Sequence, residues 1–287
     1  MEVNIKKVFL ITCLFFAAGK VLAFPQAPHN ALKSNVGPLV YLNSYNYDFE
    51  GTVKLSNCSG SIIKFIGQRP NDNAIVLTNG HCLERGFLKP GQIIYKKKVN
   101  RRMKVADKNK RFHRITAKEI IYATMTDTDS ALYRLKETYH DLERRGIQAF
   151  ELSENRPQSG MSIDIVSGYW ERGYSCEIDG FVFNLREASW VFVDSIRYTN
   201  SACKTIGGTS GAPIIESGSR VVIGVNNTRN MSGKRCSMNN PCEVDENNYI
   251  TVKKGASYGQ QTYLIYSCLN SKNEIDLKLP GCKLPKS

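Results

Sequence analysis

The 287-residue chain is short of several things, and each shortage removes a class of function. Histidine occurs only at His29, His81, His113 and His140, and never as His-Glu-x-x-His, so the usual ligand spacing of a zinc peptidase is missing. There is no Cys-x-x-Cys, the common scaffold of a structural zinc site, and neither a metal nor another cofactor is expected. Beyond residue 23 no apolar run approaches the roughly 20 residues of a membrane-spanning helix. No low-complexity linker and no internal repeat divides the chain. Acids are scarce beside bases, 26 against 39, which leaves a net charge of +13.

What is present begins with an export signal. Residues 1–23 carry Lys6 and Lys7, an apolar stretch over 8–18 that is too short to span a bilayer, and Val21-Leu22-Ala23, the layout of a secretory signal peptide. Residues 24–45 follow as an N-terminal segment and candidate propeptide. The protein is therefore expected outside the cytoplasm, extracellular or periplasmic. Cysteine usage agrees. Loss of Cys13 with the signal leaves Cys58, Cys82, Cys176, Cys203, Cys236, Cys242, Cys268 and Cys282, and an even count in an exported chain reads as disulfides. Eight cysteines allow 105 connectivities, among which pairing of sequence neighbours is the expectation.

Short β-rich runs separated by turn signals recur at 61–66, 74–77, 92–95, 130–135, 162–166, 190–198, 212–216 and 220–225, which argues an all-β sandwich or barrel. The exported body is long for a single core and fits two barrels sharing a cleft. Residues 136–150 are the one helical or linker stretch, placed where a first barrel would hand over to a second.

The chemistry lies in three segments. Gly207-Gly208-Thr209-Ser210-Gly211-Ala212-Pro213 sets a serine in a glycine-rich turn, Thr78-Asn79-Gly80-His81-Cys82 sets a histidine beside a cysteine, and Asp129-Ser130-Ala131-Leu132 opens an apolar run with a carboxylate. A free hydroxyl is a weak nucleophile at neutral pH, so an imidazole must take its proton and a carboxylate must hold the imidazole's tautomer. The turn would aim the amides of Gly208 and Ser210 at a developing oxyanion. Taken singly, Ser210 also reads as ordinary turn chemistry and His81 as a structural residue. Thr126-Asp127-Thr128-Asp129 offers two carboxylates; Asp129 is preferred because the apolar run starts directly behind it. All four histidines precede Ser210, which is the wrong order for an α/β-hydrolase, and Ala212 stands where the Gly-x-Ser-x-Gly elbow needs its second glycine.

Four ordered segments resemble the chymotrypsin/trypsin-like serine peptidase family. Cys58-Ser59-Gly60-Ser61-Ile62-Ile63 is similar to its Cys-Gly-Gly-Ser-Leu-Ile, Leu77-Thr78-Asn79-Gly80-His81-Cys82 to Leu-Thr-Ala-Ala-His-Cys, Asp129-Ser130-Ala131-Leu132 to Asp-Ile-Ala-Leu, and Gly208-Thr209-Ser210-Gly211-Ala212-Pro213 to Gly-Asp-Ser-Gly-Gly-Pro. The resemblance implies two packed antiparallel Greek-key β-barrels with the active site in the cleft between them, a catalytic triad of His81, Asp129 and Ser210, and a Cys58–Cys82 disulfide. It implies a peptidase domain over 46–245; the tail from about 245 is not covered by the resemblance, and 246–287 is expected as a disulfide-bearing extension packed on that domain. Thr209 replaces the aspartate that trypsin-type zymogens pair with a new N-terminus, so the pattern is closer to secreted bacterial-type members. Counting six residues back from Ser210, where trypsin-type members hold an aspartate, gives Lys204. Asn226 and Asn227 fall on the far pocket wall, and cleavage after basic residues is not implied, unless Glu243 or Asp245 folds against the pocket to supply the acid.

The expected function is a secreted serine endopeptidase acting on protein or peptide substrates. The rivals are a catalytically idle extracellular binding module of the same fold and an esterase using the same triad. With Lys6, Lys7, Lys20 and Glu2 removed, the mature charge is +11, much of it in residues 96–118, which hold eleven Lys and Arg. Such a run reads first as a solvated face, and otherwise as a site for an anionic surface or polymer. No nucleic-acid reader motif accompanies it.

Overall fold

The computed structural model describes residues 47–199 and 202–286, so the expected signal peptide and nearly all of the N-terminal segment lie outside the described residues. Six strands come first: β1 (Thr52–Lys54), β2 (Ser59–Lys64), β3 (Asn73–Thr78), β4 (Ile93–Ala106), β5 (Phe112–Thr124) and β6 (Ser130–Thr138). They close on themselves in the antiparallel ring β1–β4–β5–β6–β3–β2, with β2 returning to β1. A short helix α1 (Tyr139–Glu143), capped reciprocally by Thr138 and Asp141, leads to β7 (Phe150–Leu152).

The second half contains β8 (Ser162–Ser167), β9 (Arg172–Glu187), β10 (Trp190–Tyr198), β11 (Pro213–Glu216), β12 (Val221–Arg229), the small hairpin β13 (Cys242–Val244) and β14 (Ile250–Thr251), and β15 (Ser257–Gln261). Here the ring runs β12–β11–β8–β9–β10–β15 and closes by pairing β15 with β12. The fold is thus all-β, two closed antiparallel barrels. Closure leaves neither barrel an open edge. β7 runs parallel to β2 on one side and β12 on the other, stitching the barrels together.

Alternation along the strands explains how one sequence serves three cores. On β3, Ala74 and Val76 pack inside the first barrel with Ile62, Met103 and Tyr133, whereas Ile75 and Leu77 join Ile63, Phe150, Ile215 and Val222 in a layer shared by both barrels. Successive strand side chains face opposite ways, so a strand apolar on both faces can line both. β11 does the same in the second barrel: Ile214 packs with Ile165, Ile196 and Ile223, and Ile215 faces the shared layer. Each such aliphatic side chain contributes roughly 1.5–3 kcal/mol by leaving water.

Three expectations need adjustment. Residues 136–138 complete β6, so only five residues of the expected handover stretch are helical. The second barrel extends past residue 245, because β15 is one of its six staves; what remains beyond it is a 3-10 turn (Tyr263–Cys268) and a tail held by Cys268–Cys282. The basic segment is the β4–β5 hairpin. Arg102 and Lys104 point outward on either side of the buried Met103, but Arg101 is buried, donating to Cys82 O, Tyr133 Oη and Asn57 Oδ1. The register shift between Lys98 and Arg101 turns it inward.

Each cysteine among the described residues pairs with its sequence neighbour: Cys58–Cys82, Cys176–Cys203, Cys236–Cys242 and Cys268–Cys282. Among the described residues no helix is long and apolar enough to cross a membrane.

Candidate active site

His81 sits in a 3-10 turn (Gly80–Cys82) directly after β3, and Asp129 immediately before β6. Since β3 and β6 are paired neighbours with Thr78 opposite Ala131, the two ends meet. His81 Nδ1 and Asp129 Oδ2 are 2.6 Å apart, and the His81 main-chain N–H donates to Asp129 Oδ1 at 3.1 Å. Asn79 Nδ2 steadies the same turn by donating to the Asp129 carbonyl oxygen. Only glycine fits at position 80, because a Cβ there would collide with the Thr124 carbonyl. Asp129 is 1% exposed. Asp127, the competing carboxylate, lies elsewhere: it has a positive φ, its carbonyl accepts from Val193 N, and it lines a different cavity.

Burial alone would disfavour a charged imidazole at His81. The Asp129 carboxylate, through its charge and hydrogen bond, and then the charge of Glu187 outweigh that, and the pKa is raised. Glu187, at the end of β9, was not singled out in the sequence. Its buried carboxyl accepts from Asn239 N at 2.6 Å, and burial lifts its pKa above the usual carboxylate value. The wall is completed by Phe87, edge-on to both His81 and Trp190, and the Trp190 indole N–H donates to Leu88 O. No sequence signal marked these residues, because they come from two barrels and meet only after folding.

Ser210 comes from the second barrel, in the loop before β11. It lines the same cavity as His81 and Asp129. Its hydroxyl donates to the Asn227 carbonyl at 3.1 Å. The loop is built around tight approaches: Thr209, fully buried, closes a turn onto Ile206 O, and Gly211 at φ +80° has no room for a side chain against Ser59 O and Thr78 Oγ1. Ser59, the residue after Cys58, is the joint to the first barrel. Its N–H donates to Ser210 O at 2.8 Å, its carbonyl accepts from Thr78 Oγ1, and its hydroxyl donates to Gly208 O. Neither the Gly208 nor the Ser210 amide donates to another group among the described residues.

Of the expected pocket residues, Asn226 and Asn227 line this cavity. Asn226 Oδ1 accepts from Tyr198 Oη, and the Asn227 side-chain nitrogen is buried without a partner among the described residues. Lys204 does not line it. It is exposed, and the cation that the cavity does contain is Arg229 of β12. Glu243 and Asp245 are committed elsewhere, Glu243 to Arg197 and Tyr258 and Asp245 to the Asn247 and Tyr249 amides. Cys58, Cys82 and His81 cluster closely enough to hold a metal ion, but the two sulfurs are bonded to each other, so the donor set does not fit one.

Paired closed barrels that meet at a serine-bearing loop and a histidine turn are the architecture of the two-barrel peptidases. The chain belongs to the trypsin-like peptidase domain family, whose model matches residues 58–225. No curated protein matches it. Among solved structures, the apo MamO protease domain from Magnetospirillum magneticum is 12% identical and superposes with a TM-score of 0.50 over 79% of this chain and all of that one. Protease A from Thermobifida fusca is 17% identical, with a TM-score of 0.41 over 74% of this chain and 90% of its own. Protease Anisep from Arthrobacter nicotinovorans is also 17% identical, with a TM-score of 0.43 over 75% and 90%. At these identities the likeness is one of fold.

Proposed function

We propose that the protein is a secreted serine endopeptidase that cleaves peptide bonds through Ser210, His81 and Asp129, with the domain organisation of a signal peptide, a short N-terminal segment and the two-barrel unit. The observation that carries this reading is the 2.6 Å contact of the buried Asp129 carboxylate with His81 Nδ1, in the cavity that also holds Ser210. A carboxylate on Nδ1 fixes the tautomer that leaves Nε2 free to accept a proton.

In the proposed cycle the Ser210 hydroxyl exchanges the Asn227 carbonyl for His81 Nε2. Proton transfer to Nε2 accompanies attack of Oγ on the substrate carbonyl. The negative charge that forms on the carbonyl oxygen is met by the Gly208 and Ser210 amides, which donate to no other group among the described residues. His81 returns its proton to the leaving amine, the C–N bond breaks, and an ester joins the acyl group to Ser210. A water, deprotonated by His81, hydrolyses that ester and restores the serine. The raised pKa of His81 suits both halves, since the imidazolium that forms is stabilised by Asp129.

The test is digestion of a peptide library by the wild-type protein and by Ser210→Ala. Loss of nearly all turnover is expected, since removing the nucleophile of such a unit costs about 10⁶ in rate. Turnover above a few per cent of wild type in Ser210→Ala refutes the assignment. Turnover of esters with no peptide cleaved supports an esterase, and neither activity leaves a binding module.

A further inference from the structure

The cavity beside Ser210 contains a cation that has no counter-ion among the described residues. Arg229 lines it together with Thr205, Ile206 and Gly207 of the serine loop. Its Nε donates to Gly255 O at 3.1 Å and its Nη1 to Thr205 O at 3.2 Å, so the partly buried guanidinium bridges the serine loop and the segment leading into β15. Both acceptors are neutral. Arg156, Arg197 and Arg220 are each paired with carboxylates, whereas Arg229 has no ion pair among the described residues. A guanidinium carries five N–H donors, and two bonds leave three of them unspent along with the full positive charge.

Position makes this charge a matter of substrate choice. Arg229 stands two residues beyond Asn227, whose carbonyl holds the Ser210 hydroxyl. A peptide whose carbonyl carbon is within reach of Ser210 Oγ must lodge that residue's side chain against the parts of the cavity flanking the serine, the Thr205 to Gly207 segment and the end of β12. A lysine or arginine there meets a like charge on the partly buried Arg229. A carboxylate completes a charge-assisted pair with donors already in place. Glu187 shares the cavity but does not neutralise Arg229; it is held by Asn239 N, and its charge acts on His81.

We propose that Arg229 is the specificity-determining residue of this site and that the substrates are peptides cleaved after an acidic residue, glutamate or aspartate. This rests on the peptidase reading above and narrows it to a substrate class. Sequence position had pointed to Lys204, six residues before Ser210. The structure assigns the part to a residue nineteen positions after it, brought in by the end of β12.

The experiment uses the exported protein, expressed with its own N-terminal segment, and two peptides identical except for Glu or Gln at the cleaved position. The expected kcat/KM ratio favours Glu by about a hundredfold, the order of one charge-assisted hydrogen bond. Arg229→Gln should bring the ratio close to one, and Arg229→Lys should keep part of it. Because the ratio compares two substrates on one preparation, a misfolded fraction cancels. A second measurement needs no turnover: calorimetry on the Ser210→Ala protein with product peptides ending in Glu or Gln, where Glu should bind at least about tenfold tighter and Arg229→Gln should erase the difference. Equal use of Glu and Gln, dominance of Lys or Arg, or a Glu preference that survives Arg229→Gln overturns the proposal. Failure of the peptidase reading looks different: no peptide is cleaved at all, and the product-binding contrast still decides the pocket.

Discussion

Replacing both Cys58 and Cys82 with alanine should damage stability and catalysis together, for reasons that separate. The bond closes a loop with a sequence separation of 24, for which the loop-closure model gives about 3.5 kcal/mol at 25 °C. In a domain of this size 1 kcal/mol corresponds to roughly 2–4 °C, so the melting temperature should fall by about 7–14 °C. The Cys268–Cys282 bond, with a separation of 14, provides the control, since the same model gives about 3.0 kcal/mol for it. The two double variants should therefore melt within a few degrees of each other. They should differ in turnover. Cys82 adjoins His81, and Cys58 adjoins Ser59, whose N–H holds Ser210 O and whose hydroxyl holds Gly208 O. Cutting this bond frees the histidine turn from the strand that positions the serine loop, whereas Cys268–Cys282 ties the tail near the shared layer, away from the cleft. Calorimetric melting and kcat on one peptide, measured well below both transitions, give the comparison. Equal kcat losses in the two variants would refute the claim that the Cys58–Cys82 bond couples the catalytic halves, and a melting shift below about 3 °C would refute the loop-entropy estimate.

Asp129→Asn should lower kcat by about 10⁴ through loss of the tautomer it enforces, while Asp127→Asn should stay near wild type; equal severity in steady-state assays would mean that the wrong carboxylate was chosen. Glu187→Gln keeps an acceptor for Asn239 N but removes a negative charge that raises the His81 pKa. Because the base works deprotonated, a lower His81 pKa extends activity downward, so the acid limb of the kcat/KM profile should move to lower pH. An unmoved or higher limb would show that Glu187 does not act on His81.

The three segments of the proposed triad could be picked out in the sequence because each is local: a glycine-flanked serine, a histidine beside a cysteine, an aspartate opening a strand. The strand runs at 61–66, 74–77, 162–166 and 190–198 were legible because β-branched and other apolar residues concentrate in them between turn signals, and they lie within a residue or two of β2, β3, β8 and β10. β5 and most of β4 were read as charge instead. Over 101–118 their outward positions carry cations such as Lys104 and Arg114, and the inward ones, Met103, Val105, Ile115 and Ala117, are spaced one apart, so the apolar signal forms no run there and in β5 gathers only at Ile120-Ile121-Tyr122-Ala123, the end of that strand. The first half of β9 is hidden the same way, with buried Tyr174, Cys176 and Ile178 separated by Ser175 and Glu177. The pocket was least legible. Counting back from Ser210 presumes a fixed loop geometry, but Cys203 pairs with Cys176 and Thr205 is held by Arg229, and Lys204 between them is left in solvent.

Glu187 and Arg229 give the cleft two charges of opposite sign that are not paired with one another, and their separation gives each a task. Glu187 acts on the imidazole: its charge favours the protonated form of His81, the state in which the proposed cycle delivers a proton to the leaving amine. Arg229 stands on the serine side and is anchored to two carbonyls, so it can meet a carboxylate with little side-chain entropy still to lose. Had the two formed an ion pair, each would have quenched the other, leaving the imidazole without its extra stabilisation and the pocket without its charge. Asn239 N, which holds the Glu187 carboxylate, belongs to the loop joined by Cys236–Cys242 and cross-braced by Asn240 on Ser232. That disulfide therefore serves the cleft at a distance: by stiffening the loop that holds Glu187, it helps keep the acid of the cavity apart from the base.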